Sequence, residues 1–171
     1  MLPVTLATAT HDDLHGLVTL LRACVADCAS VGWVATPSPA DARAFWRGCL
    51  AEQGAGRRRV VVARDGDRVV GTGQLIPAPL PNGRHRAEIA KLLVAPQARR
   101  RGIARAVMTA LEDAARDDGR RLLILDTASA AAARLYEVTG WTRLGDVPGY
   151  ALDTRGVAEP TTIFFKQLRD A

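Results

Sequence analysis

The stretch from Glu88 to Met108, EIAKLLVAPQARRRGIARAVM, changes its periodicity once, and that change limits what the chain can build. Glu88 to Val94 is largely apolar and bounded by Pro96, as befits a buried strand of ordinary length. After Gly102, residues Ile103, Ala106, Val107, Ala110, Leu111, Ala114 and Ala115 recur at helical spacing as one apolar stripe. Between the two lies Arg99-Arg100-Arg101-Gly102-Ile103-Ala104. A helix start gathers unpaired backbone N–H groups and the positive end of the macrodipole. Glycine there lets a phosphate come close to the backbone, and three arginines add charge beside it. The turn therefore predicts a pyrophosphate cradle at the mouth of a sheet, set against the plainer alternative of a solvated basic loop. Two common phosphate motifs are absent. There is no G-x-x-x-x-G-K-S/T, and Gly71-Thr72-Gly73 lacks the third glycine of a dinucleotide fingerprint.

Composition narrows the class. At 171 residues the expectation is one domain spanning 1–171, large enough for its own core. The net charge of +5 comes almost wholly from arginine, with only Lys91 and Lys166 as lysines. Such basicity fits an anionic cofactor as well as a nucleic acid. No basic segment followed by an apolar one opens the chain, and no apolar run reaches membrane-spanning length. Cys24, Cys28 and Cys49 are an odd number, which points to reduced thiols and a cytoplasmic setting without membrane attachment. Cys24 and Cys28, four apart, read as small apolar residues on one helix face. His11, His15 and His85 form no metal-ligand spacing with them, so no metal is expected.

In chain order, Leu2 to Ala7 reads as a first strand. A helix follows from a Thr10 cap to about Ser30, ended by Gly32. A second helix starts at Ser38 with Pro39 in its first position, and buries Ala42, Phe45, Trp46, Cys49 and Leu50. Arg58–Ala63 and Arg68–Ile76 are strands joined at Asp65-Gly66, a strong hairpin signal. Pro77 to Gly83 is a loop before the Glu88 strand, and Gly119 closes the helix that begins at Gly102. Leu122 to Thr127 is a strand parallel to that of Glu88 if the crossover is right-handed. A helix over Ala130–Thr139, ended by Gly140, precedes two strands, Trp141–Val147 and Thr161–Leu168, with Pro148–Pro160 as a long loop between them. The predicted order is β-α-α-β-β-β-α-β-α-β-β, an α/β fold with a mixed, mostly antiparallel sheet and helices on both faces.

Arg99-x-x-Gly102-x-Ala104 resembles the (Gln/Arg)-x-x-Gly-x-(Gly/Ala) signature of the GNAT superfamily of acyl-CoA N-acyltransferases, and the element order fits that superfamily over nearly the whole chain. Within it the chain is similar to tabtoxin-resistance acetyltransferase-like members, in HRAEIAKLLV, LLILDTASAAAARLYEVTGW, PGYALDTRG and TTIFFKQL. The resemblance implies acetyl-CoA as donor, its pyrophosphate on Arg99, Arg100, Arg101, Gly102, Ile103 and Ala104. It implies backbone pairing of the pantetheine arm with Leu92, Leu93 and Val94, like an added strand, with the Leu93 N–H polarising the thioester carbonyl. Ala132 and Tyr136 match the end of Asn-x-x-Ala-x-x-x-Tyr, and Ser129 stands where asparagine is usual.

Acetyl transfer to an amine requires loss of the amine's proton, stabilisation of the carbonyl oxygen and help for the departing thiolate. By the resemblance Glu88 is the base, directly or through water, and an apolar strand environment would strengthen it in that role. The structural alternative is a strand-end carboxylate paired with Arg84 or Arg86. Asp126 is either a second base or the holder of the acceptor ammonium, against a capping role before Ala130. Tyr136 is the acid, against an amphipathic tyrosine covering a sheet edge. Trp33 is a substrate contact, against a cap on the core edge. The acceptor is expected to be a small amine attacking directly, such as an antibiotic or toxin-like amino compound in a resistance role. The alternatives are protein N-termini or lysines, a CoA-binding module without catalysis and, last, a nucleic-acid binder. A monomer or homodimer is expected.

Overall fold

The computed structural model describes residues 4–168. Leu2 and Pro3, assigned above to the first strand, lie outside them. Seven strands form one sheet: β1 (Thr5–Thr8), β2 (Arg59–Asp65), β3 (Arg68–Pro77), β4 (Arg86–Val94), β5 (Leu122–Thr127), β6 (Thr142–Leu152) and β7 (Ala158–Gln167). Their spatial order is β1-β2-β3-β4-β5-β7-β6, antiparallel throughout except for the β4–β5 pair. The α-helices are α1 (Leu14–Ala26), α2 (Pro39–Gly54), α3 (Ile103–Asp117) and α4 (Ala130–Val138). This is the mixed, mostly antiparallel α/β architecture the sequence predicts.

Local chemistry explains the helix limits. The Thr10 N–H donates to Asp13 Oδ2 at 2.8 Å, which stops the chain for a 3-10 turn ahead of α1. The Ser38 side chain accepts from the Asp41 N–H at 3.1 Å, and Pro39 fills the first position of α2. α1 ends at Ala26, earlier than expected. The Cys28 N–H donates to Val25 O and the Ala29 N–H to Cys24 O, both at 3.0 Å, with Cys28 at φ 63°. That is a left-handed helix stop of the kind usually made by glycine. Cys28 is consequently exposed and does not share the buried face of Cys24.

Side-chain alternation sorts the sheet into two faces. On one, Thr72, Gln74 and Glu88 look toward α1 and α2, and the Gln74 Nε2 contacts Cys49 Sγ at 3.4 Å. On the other lie Gly71 and Gly73, where an added β-carbon would stand 2.7 Å from Ile103 and from Leu111 of α3. Those two glycines let α3 settle directly on β3. Below β7, Lys166 Nζ reaches both carboxylate oxygens of the buried Glu112 at 2.9 and 2.7 Å, and the Trp141 Nε1 donates to the same Glu112 at 3.0 Å. This cluster ties α3 to the last two strands.

The segment Pro148–Pro160, read above as a loop, is mostly strand. β6 runs on to Leu152 and β7 begins at Ala158, with Asp153 accepting the Arg155 and Val157 N–H groups across the turn at 2.8 and 2.9 Å. The ribbon stands off the core and is exposed along nearly all of β6, so no hydrophobic alternation announces it. Pairing steps from Val147↔Thr161 to Ala151↔Glu159, which leaves Pro148-Gly149-Tyr150 as a bulge.

A split in the sheet positions the site. β4 and β5 pair only over Arg86↔Leu122, Ala87↔Leu123 and Glu88↔Ile124. Beyond Glu88, β5 is held by β7 alone and the two parallel strands part.

Candidate active site

The turn before α3 has the features of an anion cradle. Arg100 and Gly102 both take left-handed φ values, 62° and 78°, which curl successive backbone N–H groups toward one side. Gly102 supplies no capping side chain, and the helical bonding begins with the Ala106 N–H to Gly102 O at 3.0 Å. The N–H groups of Ile103, Ala104 and Arg105 thus have no intrahelical acceptor. Arg99 pairs with Asp27 at 2.6 Å and Arg101 with Asp65 at 2.8 Å. Arg101 keeps Nε and Nη2 buried without a partner, and Arg100 is exposed with no ion pair among the described residues. Ile103 is buried beneath the sheet and anchors the turn. Free N–H donors and surplus positive charge fit a pyrophosphate.

The edge of β4 that faces the split fits a pantetheine arm. The Ala95 N–H donates to Val70 O at 2.9 Å, so the preceding carbonyl, that of Val94, points away from β3. Ladder alternation then turns the backbone groups of Leu92 and Val94 toward the split and those of Leu93, which registers with Thr72, toward β3. The Leu93 N–H is therefore turned from the expected position of the thioester. Leu92 and Val94 present the open donors instead, while Leu93 contributes a buried side chain. The Cys24 thiol, pushed up to about 11 by burial and so protonated, donates to Val94 O at 3.4 Å.

Glu88 and Asp126 come together where the strands part. Glu88 registers with Ile124, and Asp126 lies two residues further on the same face, so both carboxylates look toward α1 and α2. They line one crevice of about 330 Å³ with Ile76, Pro79, Tyr150 and Ile163. Among the described residues Glu88 makes no ion pair with Arg84 or Arg86. Glu88 is exposed rather than sunk in an apolar strand. Asp126 accepts from Thr161 Oγ1 at 3.0 Å. The cap of α4 is instead Ser129, whose Oγ accepts the Ala132 N–H at 3.3 Å. Ser129 is exposed beside the split, and Ala132 packs on the core.

Tyr136 is not in that crevice. It is buried on the opposite face, edge-on to Phe164 at 5.6 Å and tilted against Trp141 at 5.9 Å. Burial raises its phenol above the ordinary tyrosine value, and the charge of Asp126 adds to the rise. Trp33 is half-buried between α1 and α2 and meets Phe45 edge-on at 6.2 Å, outside the carboxylate crevice. Tyr150 was not singled out from sequence. It rides on the β6 bulge into the crevice, where the charge of Asp126, partial burial and Glu88 raise its phenol in that order. The one local signal is Pro148-Gly149, a turn or bulge pair, with no strand alternation around it to place Tyr150 in the crevice. A hollow of about 410 Å³ at the far end of α3, lined by Arg58, Arg59, Asp118 and Arg120, holds none of the predicted residues. Among the described residues no group of three or more His, Cys, Asp or Glu could hold a metal, and no helix is long and apolar enough to cross a membrane.

Comparison with known proteins agrees with this geometry. The model of the acetyltransferase (GNAT) family matches residues 20–141. An N-acetyltransferase from the hisH–hisA intergenic region of Azospirillum brasilense is 32% identical over 156 residues, covering 81% of this chain and 90% of its own. The ribosomal-protein-alanine N-acetyltransferase of Brucella melitensis superposes with a TM-score of 0.83 at 24% identity, over 96% of this chain and 99% of that one. A phosphinothricin acetyltransferase from Sinorhizobium meliloti, solved with acetyl-CoA, has a TM-score of 0.80 at 21% identity, over 98% and 89%. With its cradle, its split sheet and these matches, the chain belongs to the GNAT family and is an acetyl-CoA-dependent N-acetyltransferase.

Proposed function

We propose that this chain, working as a single domain over residues 1–171, transfers the acetyl group to the primary amine of a small molecule by direct attack. The observation that carries the reading is the convergence of Glu88 and Asp126 on one face, at the point where β4 and β5 part. Acetyl-CoA supplies an activated acyl thioester. Residues Arg99 to Ala104 bind its pyrophosphate through backbone N–H groups and charge. Leu92 and Val94 hold the arm and offer an N–H to the carbonyl oxygen. Asp126, steadied by Thr161, orients the acceptor ammonium, and Glu88 takes a proton from it, directly or through water, freeing the lone pair of the amine that attacks the thioester carbon. Ser129 hydrogen-bonds the arm beside Ala132. The Tyr136 phenol assists the departing sulfur from below the sheet, and Trp33 borders the acceptor.

A crevice of about 330 Å³ suits a small acceptor better than a protein segment. The phosphinothricin acetyltransferase neighbour and the tabtoxin-resistance-like motifs favour an antibiotic or toxin-like amino compound, acetylated in the cytoplasm as a detoxifying step. The test is release of CoA thiol on a panel of small amines and of peptides with free N-termini, for wild type and Glu88→Gln. Turnover of small amines is expected, with Glu88→Gln lower in kcat by about 10²- to 10⁴-fold near neutral pH and unchanged in acetyl-CoA affinity. Equal turnover by Glu88→Gln across the full pH range would remove Glu88 as the base. Preference for peptides would overturn the acceptor class.

A further inference from the structure

Lys91 has no task in the chemistry above, yet it lies three residues along β4 from Glu88, between the crevice and the α1–α2 connection. Between the Thr72↔Leu93 and Gln74↔Ala90 pairs, β4 carries one residue more than β3. Lys91 sits in that bulge with a left-handed φ of 52°, a conformation held only under constraint in a residue with a β-carbon. Regular alternation would aim Lys91 toward α3; the bulge turns it to the α1–α2 face, alongside Ala90 and Glu88. Its ammonium lies 6.0 Å from the Phe45 ring centre, and 3.3 Å from where a β-carbon on Gly32 would stand. Phe45 in turn meets Trp33, so the ammonium faces the α1–α2 connection.

The half-buried ammonium has no ion pair and no hydrogen bond among the described residues. Removing such a group from water is unfavourable unless an anion or acceptor meets it. Burial lowers its proton affinity, while the Cys49 thiol, Glu88 and Asp126 pull the other way and Arg58 adds to the lowering. Glu88 and Asp126 act on it from a distance and leave its hydrogen-bonding positions open. The face thus holds two carboxylates at the split and one unpaired cation three residues along β4, about 10 Å of strand. A simple cationic amine would meet attraction at one end and repulsion at the other. A zwitterion matches both.

We infer that Lys91 recognises an acid group of the acceptor, and that the acceptor is a small amino acid-like molecule carrying a carboxylate or comparable anion besides its primary amine. The acceptor's ammonium lies at Glu88 and Asp126 and its acid group at Lys91, whose ammonium is held over the Phe45 ring. This rests on the small-amine reading above and adds the acceptor's second charge. Lys91 here is a specificity residue, with no part in the proton transfer.

The experiment compares wild type, Lys91→Met and Lys91→Arg on matched pairs that differ only in the acid group: L-phenylalanine and phenethylamine, L-methionine and 3-(methylthio)propylamine, 5-aminovalerate and butylamine. CoA thiol release gives kcat and KM, and calorimetric titration of the CoA complex gives binding independently of turnover. Thermal melts confirm that each variant is folded. In wild type at least one acid-bearing member is expected to exceed its partner tenfold or more in kcat/KM. Lys91→Met should erase that preference through KM, with kcat on the acid-free partner within about twofold, and Lys91→Arg should retain most of it. An equal or reversed preference in wild type, or a preference that survives in folded Lys91→Met, overturns the inference and leaves the small-amine reading standing. If no member of any pair is bound or acetylated, both fall.

Discussion

Gly71→Ala tests whether the floor of the sheet sets the position of the cradle. A β-carbon at Gly71 would stand 2.7 Å from Ile103 Cγ2, about 1 Å inside an ordinary carbon–carbon contact. It cannot slide sideways, because Ala63 Cβ and Leu93 O each lie at 3.4 Å on the flanking strands. The displacement must fall on Ile103, which is 3% exposed and is the first residue of α3. Overpacking of this kind costs about 1–3 kcal/mol, and the loss of unfolded-state freedom on replacing glycine returns about 0.4–1 kcal/mol. A net loss of about 1–2 kcal/mol follows, which lowers Tm by about 2–8 °C in a chain of this size. The same lift moves the N–H groups of residues 103–105, so acetyl-CoA should bind about tenfold more weakly, about 1.4 kcal/mol. Urea unfolding and calorimetry read the two effects separately. Ile103→Ala removes the clashing methyl, so the double variant should be more stable than the sum of the single losses by about 1 kcal/mol. Strict additivity would refute the clash. Loss of stability with wild-type acetyl-CoA affinity would refute the link from Gly71 to the cradle.

Tyr136→Phe keeps the ring contacts and removes only the hydroxyl. Burial holds that phenol protonated well above the thiol range of roughly 8.5, so the proposed assistance is as a hydrogen-bond donor that does not itself titrate. We expect kcat to fall about tenfold with the alkaline limb of the pH profile unmoved; a shifted limb would mean that the phenol gives up its proton. At Asp13, burial alone would raise the carboxyl, but hydrogen bonds from Arg64 at 2.9 and 2.7 Å and from the Thr10 N–H bring it below its ordinary value. A folded-state value below the unfolded one contributes stability that is complete above about pH 4 and is lost as pH falls through the folded value. Asp13→Asn should therefore cost about 2 kcal/mol at pH 7 and progressively less below about pH 4, as read by urea midpoints. A gap that stays constant down to pH 2 would contradict the assignment.

The elements that local chemistry specifies were readable in advance. α2 begins at its Ser38 cap, β5 runs from Leu122 to Thr127, and the strand–turn–helix around Gly102 has the expected form. What escaped depends on partners distant in sequence. The Lys91 bulge exists because β3 supplies one residue fewer than β4, and nothing in an apolar run such as AKLLV records that count. The same bulge, together with the ladder, moves the open N–H from Leu93 to Leu92 and Val94. The β6–β7 ribbon is stabilised by cross-strand bonds rather than by burial, so it lacked the alternation that identifies a strand and hid Tyr150 with it. Cys28 takes a left-handed stop in place of a glycine, and the helix was accordingly extended too far. The carboxylate pair was legible because register follows from two strands whose limits were nearly right.

Three rungs join β4 to β5. The sheet is in effect two plates on a short hinge, with Glu88 on one plate and Asp126 and Tyr150 on the other. A donor seated in the split would add rungs to that seam and stiffen the spacing of the two carboxylates. The expected outcome is tighter acceptor binding to the donor-loaded protein than to the free chain, and equal affinity in calorimetry would refute it.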